Sequence, residues 1–198
     1  MNGGRLVALE GLDGCGKTTQ AGRIAAALRA RGREVVLTRE PTDGPFGRRI
    51  RALAKSGDPL SAAQERELFT EDRREHVARV IEPALADGRW VLTDRYFLST
   101  VAYQGARGLD WQKLLARSEV EFPLPDAVLL FELPVELGLA RTRSRGGAPD
   151  MRFEQSDYLR EVAAIFAAID RPYLARIDAS GSADAVTARA VQRALALD

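Results

Sequence analysis

The sequence predicts an α/β fold in which helices flank one five-stranded parallel β-sheet. Short apolar runs that suit buried strands alternate with longer segments of helical periodicity, which is the order of elements in parallel α/β proteins. A glycine-rich loop joins the first such run to the first helical segment. The length of 198 residues suits one domain with a sizeable core, and we find no internal repeat or linker. We therefore predict a single domain over residues 1–198.

Five segments are predicted as strands because each is a short, largely apolar run bounded by polar or turn-forming residues. They are Leu6–Glu10, Glu34–Thr38, Trp90–Thr93, Ala127–Leu133 and Arg176–Ala179. Helices are predicted at 17–30, 45–56, 61–86, 97–104, 110–119, 134–145, 155–173 and 182–196. Pro134 suits the first turn of its helix, and Ser182 is expected to cap the N-terminus of the last one.

Composition excludes several classes of partner and site. The 29 basic and 28 acidic residues give a formal charge of +1, so no overall field attracts nucleic acid or a membrane. The single cysteine, Cys15, rules out an intramolecular disulfide framework and a cysteine-rich zinc site. A strand begins by Leu6, which leaves no room for a signal peptide, and no apolar run is long enough to span a bilayer. We expect a soluble cytoplasmic protein.

The loop after the first predicted strand is a complete phosphate-binding motif. Residues 11–18 read G-L-D-G-C-G-K-T, which fits the pattern G-x-x-x-x-G-K-[ST], and a predicted helix follows directly. The glycines let backbone N–H groups face a di- or triphosphate, and the helix N-terminus adds partial positive charge. Lys17 is expected against the β- and γ-phosphates and the Thr18 hydroxyl on Mg²⁺. Cys15, at a free position of the motif, is interpreted as a small filler. The motif predicts binding of a nucleoside triphosphate.

The second half of the site distinguishes a hydrolase, a switch and a kinase. Asn2 is the only asparagine, so the N-K-x-D motif of GTPases is absent. The strand Trp90–Thr93 is followed by Asp94-Arg95 rather than by the Asp-Glu of motor ATPases, and an arginine there favours binding of a second anion. Transfer between phosphates needs no strong base, because the acceptor oxygen is already largely ionised. The single histidine, His76, therefore allows a histidine mechanism without requiring one.

The predicted helix at 61–86 carries a candidate site for the second substrate. One helical stripe contains Phe69, Arg73, His76, Val80 and Ala84. Its second half is apolar and is predicted to be core, whereas its first half puts Arg73 and His76 on the face of Phe69. An aromatic ring one turn from a guanidinium could stack on a flat base while a donor reaches an exocyclic oxygen. The alternative is that Phe69 is core and Arg73 extends to solvent.

Five sequence blocks together resemble a known family. They are LEGLDGCGKTT (9–19), TREP (38–41), LFTEDR (68–73), DRYFLSTVAYQG (94–105) and IDASG (177–181). The combination is similar to thymidylate kinase, a P-loop nucleoside monophosphate kinase, and extends over nearly the whole chain. This resemblance implies a five-stranded parallel sheet, a homodimer, and transfer of the γ-phosphoryl group of ATP to dTMP with Mg²⁺. The products would be ADP and dTDP, for dTTP synthesis.

The resemblance also implies roles for individual residues. Arg39 would hold the acceptor phosphate, Phe69 would stack on thymine, Arg73 would contact its O4, and Tyr103 would exclude a ribose 2′-hydroxyl. The implied acceptor-binding residues are Asp13, Arg39, Phe69, Arg73, Arg95, Ser99, Thr100, Tyr103 and Gln104. The implied nucleotide-binding residues are Gly11, Asp13, Gly14, Cys15, Gly16, Lys17, Thr18, Thr19, Ala179 and Ser180. Thr18 and Asp94 would bind the metal.

The source of a catalytic arginine distinguishes members of this family. Gly14 follows Asp13, so the phosphate loop supplies no arginine, and the chain is similar to the bacterial type in which a lid supplies it. The predicted lid covers about 141–153, where Arg145 and Arg152 flank Gly146-Gly147 and are the candidates for reaching the γ-phosphate. The implied catalytic residues are Lys17, Arg95, Arg145, Arg152 and Asp13.

One departure from the family pattern concerns the acceptor. Many members continue Arg-Glu-Pro with Gly-Gly, whereas this chain has Thr42-Asp43, and Asp43 adds a negative charge near the acceptor phosphate. A kinase for another (deoxy)nucleoside monophosphate therefore stays open as an alternative. So does a catalytically silent nucleotide-binding paralogue, although the intact cationic residues argue against it.

Overall fold

Five parallel strands form the central sheet of the computed structural model, which describes residues 3–56, 60–144 and 152–197. The strands are β1 (Arg5–Gly11), β2 (Val35–Arg39), β3 (Trp90–Asp94), β4 (Ala127–Glu132) and β5 (Leu174–Asp178). Their order in the sheet is β2-β3-β1-β4-β5, and every neighbouring pair is parallel. This confirms the predicted α/β fold with a five-stranded parallel sheet.

Helices cover both faces of the sheet. They are α1 (Lys17–Arg29), α2 (Pro45–Ser56), α3 (Ala62–His76), α4 (Glu82–Ala86), α5 (Phe97–Gly105), α6 (Trp111–Glu121), α7 (Val135–Arg143), α8 (Arg152–Ala168) and α9 (Ala183–Leu195). Ser182 caps α9 as predicted, because its side chain accepts the Ala185 N–H. Pro134 precedes α7 as its N-cap instead of lying in the first turn. None of the described helices combines the length and the apolarity needed to cross a bilayer.

The end of α8 differs from the prediction. The helix was expected to continue to residue 173, but it ends at Ala168. Pro172 explains the difference, because proline disfavours helical backbone in the residue before it and removes an N–H. The chain then enters β5 at Leu174, two residues before the predicted strand start at Arg176.

Alternate residues of the strands supply two separate cores. Leu6 and Ala8 of β1 point to the face that α5 and α8 cover, whereas Val7 and Leu9 point to the face that α1 and α9 cover. All four side chains are at most 1% exposed. A parallel sheet buried on both faces is expected to have such continuous apolar strands, which is why β1 was recognisable in the sequence.

The predicted helix at 61–86 is interrupted by a π-helical turn at Val77–Ile81. The Glu82 N–H donates to the carbonyl of Val77, five residues earlier, instead of four as in an α-helix. Pro83 provides a physical reason, since proline has no N–H and its ring clashes with the carbonyl four residues before it. A wider turn relieves both problems.

The π-helical turn also changes which residues are buried. Val80 was predicted on the core stripe, but it is only half-buried, and Ile81 occupies the core with 0% exposure. Ala84 is buried as predicted. The buried position is therefore shifted by one residue only within the wide turn, from Val80 to Ile81, and returns to the predicted position at Ala84.

The sheet register brings the candidate site together at one edge. Leu9 of β1 and Arg39 of β2 are both in register with Asp94 of β3, so the carboxyl ends of three adjacent strands lie side by side. The phosphate loop, Arg39-Glu40 and Asp94-Arg95 all leave the sheet at this edge. Ligands of open α/β sheets bind outside the carboxyl ends of the strands, so this edge is the candidate ligand-binding site.

Candidate active site at the carboxyl edge of the sheet

The loop between β1 and α1 has a backbone that requires glycine. Gly14 has a φ of 85°, and a Cβ built on it would lie 2.3 Å from the carbonyl oxygen of Gly138 in α7. A side chain at position 14 would thus be strained and would collide with the backbone of α7. An arginine at position 14 is therefore incompatible with the way α7 packs against the loop.

Lys17 folds back over the phosphate loop. Its Nζ donates to the carbonyl oxygens of Gly11 and Leu12 at 3.0 and 2.8 Å and lies 3.6 Å from the Cys15 sulfur. Cys15 is 2% exposed and packs in the core below the loop. The two carbonyl contacts orient the ammonium group without neutralising its charge. The cavity above the loop, about 160 Å³, is lined by Gly14, Gly16, Lys17, Thr18 and Thr19 together with Asp13, Arg39, Glu40, Asp94 and Arg95.

Thr18 and Asp94 meet beside this cavity. The Thr18 hydroxyl donates to Asp94 Oδ2 at 2.6 Å, which joins the start of α1 to the end of β3. A hydroxyl and a carboxylate are oxygen ligands of the kind that Mg²⁺ prefers, and Mg²⁺ usually takes only one or two protein carboxylates beside phosphate oxygens. Among the described residues no cluster of three or more His, Cys, Asp or Glu side chains forms an alternative metal site.

Arg95 stands between the two halves of the site. Its backbone has a φ of 76°, a left-handed conformation that is rare for a residue with a side chain and is often found at functional sites. The guanidinium donates to Asp13 Oδ1 at 2.7 Å and to Ser99 Oγ at 2.8 Å, and it lies 5.1 Å from the Tyr103 ring centroid. Burial raises the pKa of Tyr103 to about 12, so its phenol is protonated at neutral pH.

Glu10 is a site residue that the sequence analysis missed. It is 0% exposed, and its carboxylate accepts the N–H groups of Tyr96 and Ser99 at 2.9 and 3.0 Å and the Ser99 hydroxyl at 2.6 Å. Burial raises the pKa of this carboxyl. Glu10 thus caps the N-terminus of α5 and, through Ser99, supports Arg95. The available signal was an acidic residue near the end of an otherwise apolar strand.

A second cavity, of about 200 Å³, lies next to the loop. It is lined by Asp13, Glu40, Pro41, Phe69, Arg73, Arg95, Tyr96, Ser99, Thr100, Tyr103 and Gln104. All the residues implied for the acceptor therefore line it except Arg39, which lines the cavity above the loop and a larger neighbouring one. The two cavities share Asp13, Glu40 and Arg95. The candidate donor and acceptor sites thus meet at these three side chains.

Arg73 is held inside the protein. It is 1% exposed, which contradicts the alternative that it extends to solvent. Its Nε and Nη2 donate to Glu40 Oε2 at 2.9 and 2.7 Å, and Nη2 also donates to Thr100 Oγ1 at 3.1 Å. The guanidinium carbon lies 5.4 Å from the ring centroids of both Tyr96 and Phe122. Phe69 is half-buried and forms part of the same cavity wall.

The Thr42-Asp43 departure is built into the loop after β2. The Thr42 N–H and hydroxyl both donate to the carboxylate of Asp72, at 2.8 and 2.6 Å, which fixes the loop on α3. Asp43 accepts from Arg39 at 3.1 and 3.2 Å and from Arg51 at 2.9 Å. The negative charge expected from Asp43 is therefore paired with Arg39, the residue implied to hold the acceptor phosphate.

The loop after β5, which contains the implied nucleotide-binding residues Ala179 and Ser180, is described in full, whereas the predicted lid is described only in part. Ala179 is buried, its N–H donates to the Glu132 carbonyl at 2.8 Å, and its carbonyl accepts from Arg141 at 3.2 Å. The backbone N–H and hydroxyl of Ser180 both donate to Asp178. Arg145 lies outside the described residues, and Arg152 is described only as the first residue of α8. Most of the predicted lid at 141–153 is likewise outside them.

Comparison with known proteins identifies the family. The family model described as thymidylate kinase matches residues 9–190. The thymidylate kinase of Xanthomonas euvesicatoria pv. vesicatoria (strain 85-10) is 52% identical over 188 residues, 95% of this chain and 82% of that protein. That of Desulfotalea psychrophila (strain LSv54 / DSM 12343) is 44% identical over 185 residues, 93% of this chain and 91% of that protein. The chain therefore belongs to the thymidylate kinase family.

Proposed function

We propose that this protein transfers the γ-phosphoryl group of ATP to dTMP in the presence of Mg²⁺, giving ADP and dTDP. The observation that carries the proposal is the contact between the two cavities at Asp13, Glu40 and Arg95. One cavity surrounds a phosphate-binding loop, and the other has an aromatic and an arginine side chain suited to a base. Family membership supports the same reaction and disfavours a catalytically silent paralogue.

The donor half of the site supplies positive charge and fixed donors. Backbone N–H groups of residues 13–18 and the ammonium of Lys17 would hold the triphosphate. Thr18 and Asp94 would hold Mg²⁺, which neutralises charge on phosphate oxygens when bound. Ala179 is buried, so we propose that it contacts the nucleotide through its backbone, while Ser180 offers an exposed side chain.

The acceptor half positions dTMP. Phe69 would stack on thymine, Arg73 would donate to its O4, and the Tyr103 ring would fill the space that a ribose 2′-hydroxyl needs. Arg39 and Arg95 would hold the acceptor phosphate, with Arg39 exchanging its carboxylate partner Asp43 for the phosphate. The attacking oxygen of dTMP is already largely ionised near neutral pH, so these residues act by positioning and by charge neutralisation.

Acceptor selectivity tests the proposal directly. We expect kcat/KM for dTMP to exceed that for dCMP, dGMP and UMP when ADP release is measured with each acceptor at fixed ATP and Mg²⁺. Tyr103→Ala should lower the ratio of kcat/KM for dTMP to kcat/KM for its ribose analogue. Tyr103→Phe should lower this ratio less, because the phenylalanine ring keeps most of the bulk. Equal or higher kcat/KM for another monophosphate would identify a kinase of different specificity.

We also propose that the lid supplies the arginine that the loop cannot hold. Gly14 packs against Gly138, which excludes an arginine from position 14, and Arg145 and Arg152 are the candidates for the transferring phosphoryl group. The double substitution Arg145→Ala/Arg152→Ala should lower kcat by about 10²-fold or more and weaken ATP binding less. Single-turnover measurements separate the two effects. Transfer at nearly the original rate in the double variant would remove the lid from the mechanism.

A homodimer and a cytoplasmic location complete the proposal and rest mainly on the family resemblance. The surface of α2 also supports a dimer, because Phe46, Ile50 and Leu53 repeat at helical spacing and are only half-buried in the single chain. Sedimentation analysis of the purified protein gives the oligomeric state.

A further inference from the structure

Four side chains beside the acceptor cavity form a hydrogen-bonded series that we call the Glu40 network: the half-buried Thr38 and the buried Glu40, Arg73 and His76. Glu40 Oε2 accepts from Nε and Nη2 of Arg73, and Glu40 Oε1 lies 3.0 Å from His76 Nδ1. The other ring nitrogen of His76, Nε2, lies 2.8 Å from the Thr38 hydroxyl. Glu40, Arg73 and His76 are 5%, 1% and 2% exposed. Three elements, β2, the loop after it and α3, thus meet at one carboxylate.

The network leaves the Glu40 carboxylate little freedom to rotate. Both ring nitrogens of His76 are engaged, Nδ1 with Glu40 Oε1 and Nε2 with the Thr38 hydroxyl, so the imidazole is held at two points. Each Glu40 oxygen consequently has its own partner. Both donors to Oε2 belong to the planar guanidinium of Arg73. The carboxylate therefore restricts rotation of the guanidinium within the guanidinium plane.

The aromatic rings fix the remaining orientation of Arg73. Tyr96 and Phe122 both lie 5.4 Å from its guanidinium carbon and restrict tilting of the plane. Glu40 accepts hydrogen bonds from Nε and Nη2 of Arg73. The N–H groups of Nη1 are not engaged by this carboxylate. An arginine has donors only, and it therefore attracts a carbonyl oxygen and repels an amino group at the same place.

We infer that Glu40, held by His76 and Thr38, is a positioning residue that aims Arg73 and thereby sets the preference for a pyrimidine with a carbonyl at C4 over one with an amino group there. The inference rests on the proposed role of Arg73 in contacting the base. It assigns His76 to specificity instead of to proton transfer, which resolves the function left open for the only histidine of the chain.

Steady-state kinetics with dTMP and dCMP test the inference. Glu40→Gln should raise KM for dTMP about tenfold and lower the ratio of kcat/KM for dTMP to that for dCMP by a similar factor, with kcat for dTMP changed much less. Thr38→Val and His76→Phe keep the Glu40–Arg73 ion pair and should lower the same ratio by smaller factors. His76→Asn should lie closer to the original protein than His76→Phe, because its amide nitrogen can replace Nδ1 as a donor.

A double-mutant cycle separates this inference from the role of Arg73. In the Arg73→Ala background, Glu40→Gln should cause no further loss of discrimination. If Arg73→Ala leaves KM for dTMP and the discrimination ratio unchanged, the proposed role of Arg73 fails. If Arg73→Ala lowers the ratio but the folded Glu40, His76 and Thr38 variants do not, the positioning role of Glu40 is overturned. Should Glu40→Gln fail to fold, the His76 and Thr38 variants decide by the same criterion.

Discussion

Replacing Lys17 with alanine is expected to lower kcat by about 10²–10³-fold, because a charge-assisted contact that strengthens in the transition state contributes about 3–4 kcal/mol. The Lys17 ammonium touches backbone carbonyls at the mouth of the phosphate loop, so its charge is available to a phosphate. Lys17 is the first residue of α1, and alanine suits a helical position, so we expect the fold to survive the substitution. Coupled measurement of ADP release, with circular dichroism to verify the fold, gives the comparison.

Lys113→Ala is a matched control for this loss of charge. The Lys113 side chain is 86% exposed and pairs with Asp110 in the first turn of α6, away from the cavities described above. Its removal should leave kcat and KM within experimental error of the original protein. If Lys17→Ala retained more than about a tenth of kcat, the lysine would act mainly in ground-state binding of ATP.

Arg95→Ala should cause a loss of similar size, about 10²–10³-fold in kcat/KM, for a different reason. Arg95 lines both cavities and contacts Asp13 on one side and Ser99 on the other. Its removal withdraws a cation from the place where the donor and acceptor phosphates would meet, and it leaves Asp13 to repel them. Both KM for dTMP and kcat are expected to change, as for a residue that touches both substrates.

Arg95→Gly separates the side chain from the backbone strain. The φ of 76° suits glycine and strains alanine by about 1 kcal/mol, so the glycine variant should unfold at a higher temperature than the alanine variant. Both should be equally inactive if the guanidinium carries the effect. Recovery of activity in Arg95→Gly alone would show that the alanine variant failed through a distorted loop. Arg95→Lys should recover only part, since lysine cannot donate in two fixed directions.

Local patterns in the sequence were sufficient to predict β1, the phosphate loop and α1. The apolar run, the glycines and Lys17-Thr18 are adjacent in the chain, and each is recognisable without knowledge of distant residues. The acceptor residues came mainly from the family resemblance, since the Phe69–Arg73 spacing alone left a core interpretation open. Their shared cavity agrees with that resemblance, although their individual roles stay predictions.

Glu10 and Glu40 could not be predicted because their partners are remote in sequence. Glu10 binds residues 86 and 89 positions away, and Glu40 binds Arg73, 33 positions away. A buried carboxylate is stable only when such partners surround it, and no periodicity encodes them. Both residues do share one signal, an acidic side chain near the end of a strand next to a proposed phosphate-binding residue.

The structure is helical over nearly all of the predicted helix at 61–86, but the burial of Val80 was mispredicted, because a fixed period of 3.6 residues cannot represent the wide turn at Val77–Ile81. Such a turn is equivalent to one residue inserted into an α-helix, and the insertion is absorbed locally. Length variation in this segment should therefore be confined to the turn. Losing one residue there closes it to an α-helix with both flanks in phase, provided that Pro83 is also replaced. Losing one residue inside α3 would instead rotate the flanking parts of the helix by about 100° relative to each other. A deletion between Phe69 and Arg73 would separate the two side chains around the helix, and a deletion elsewhere in α3 would turn both of them relative to the core.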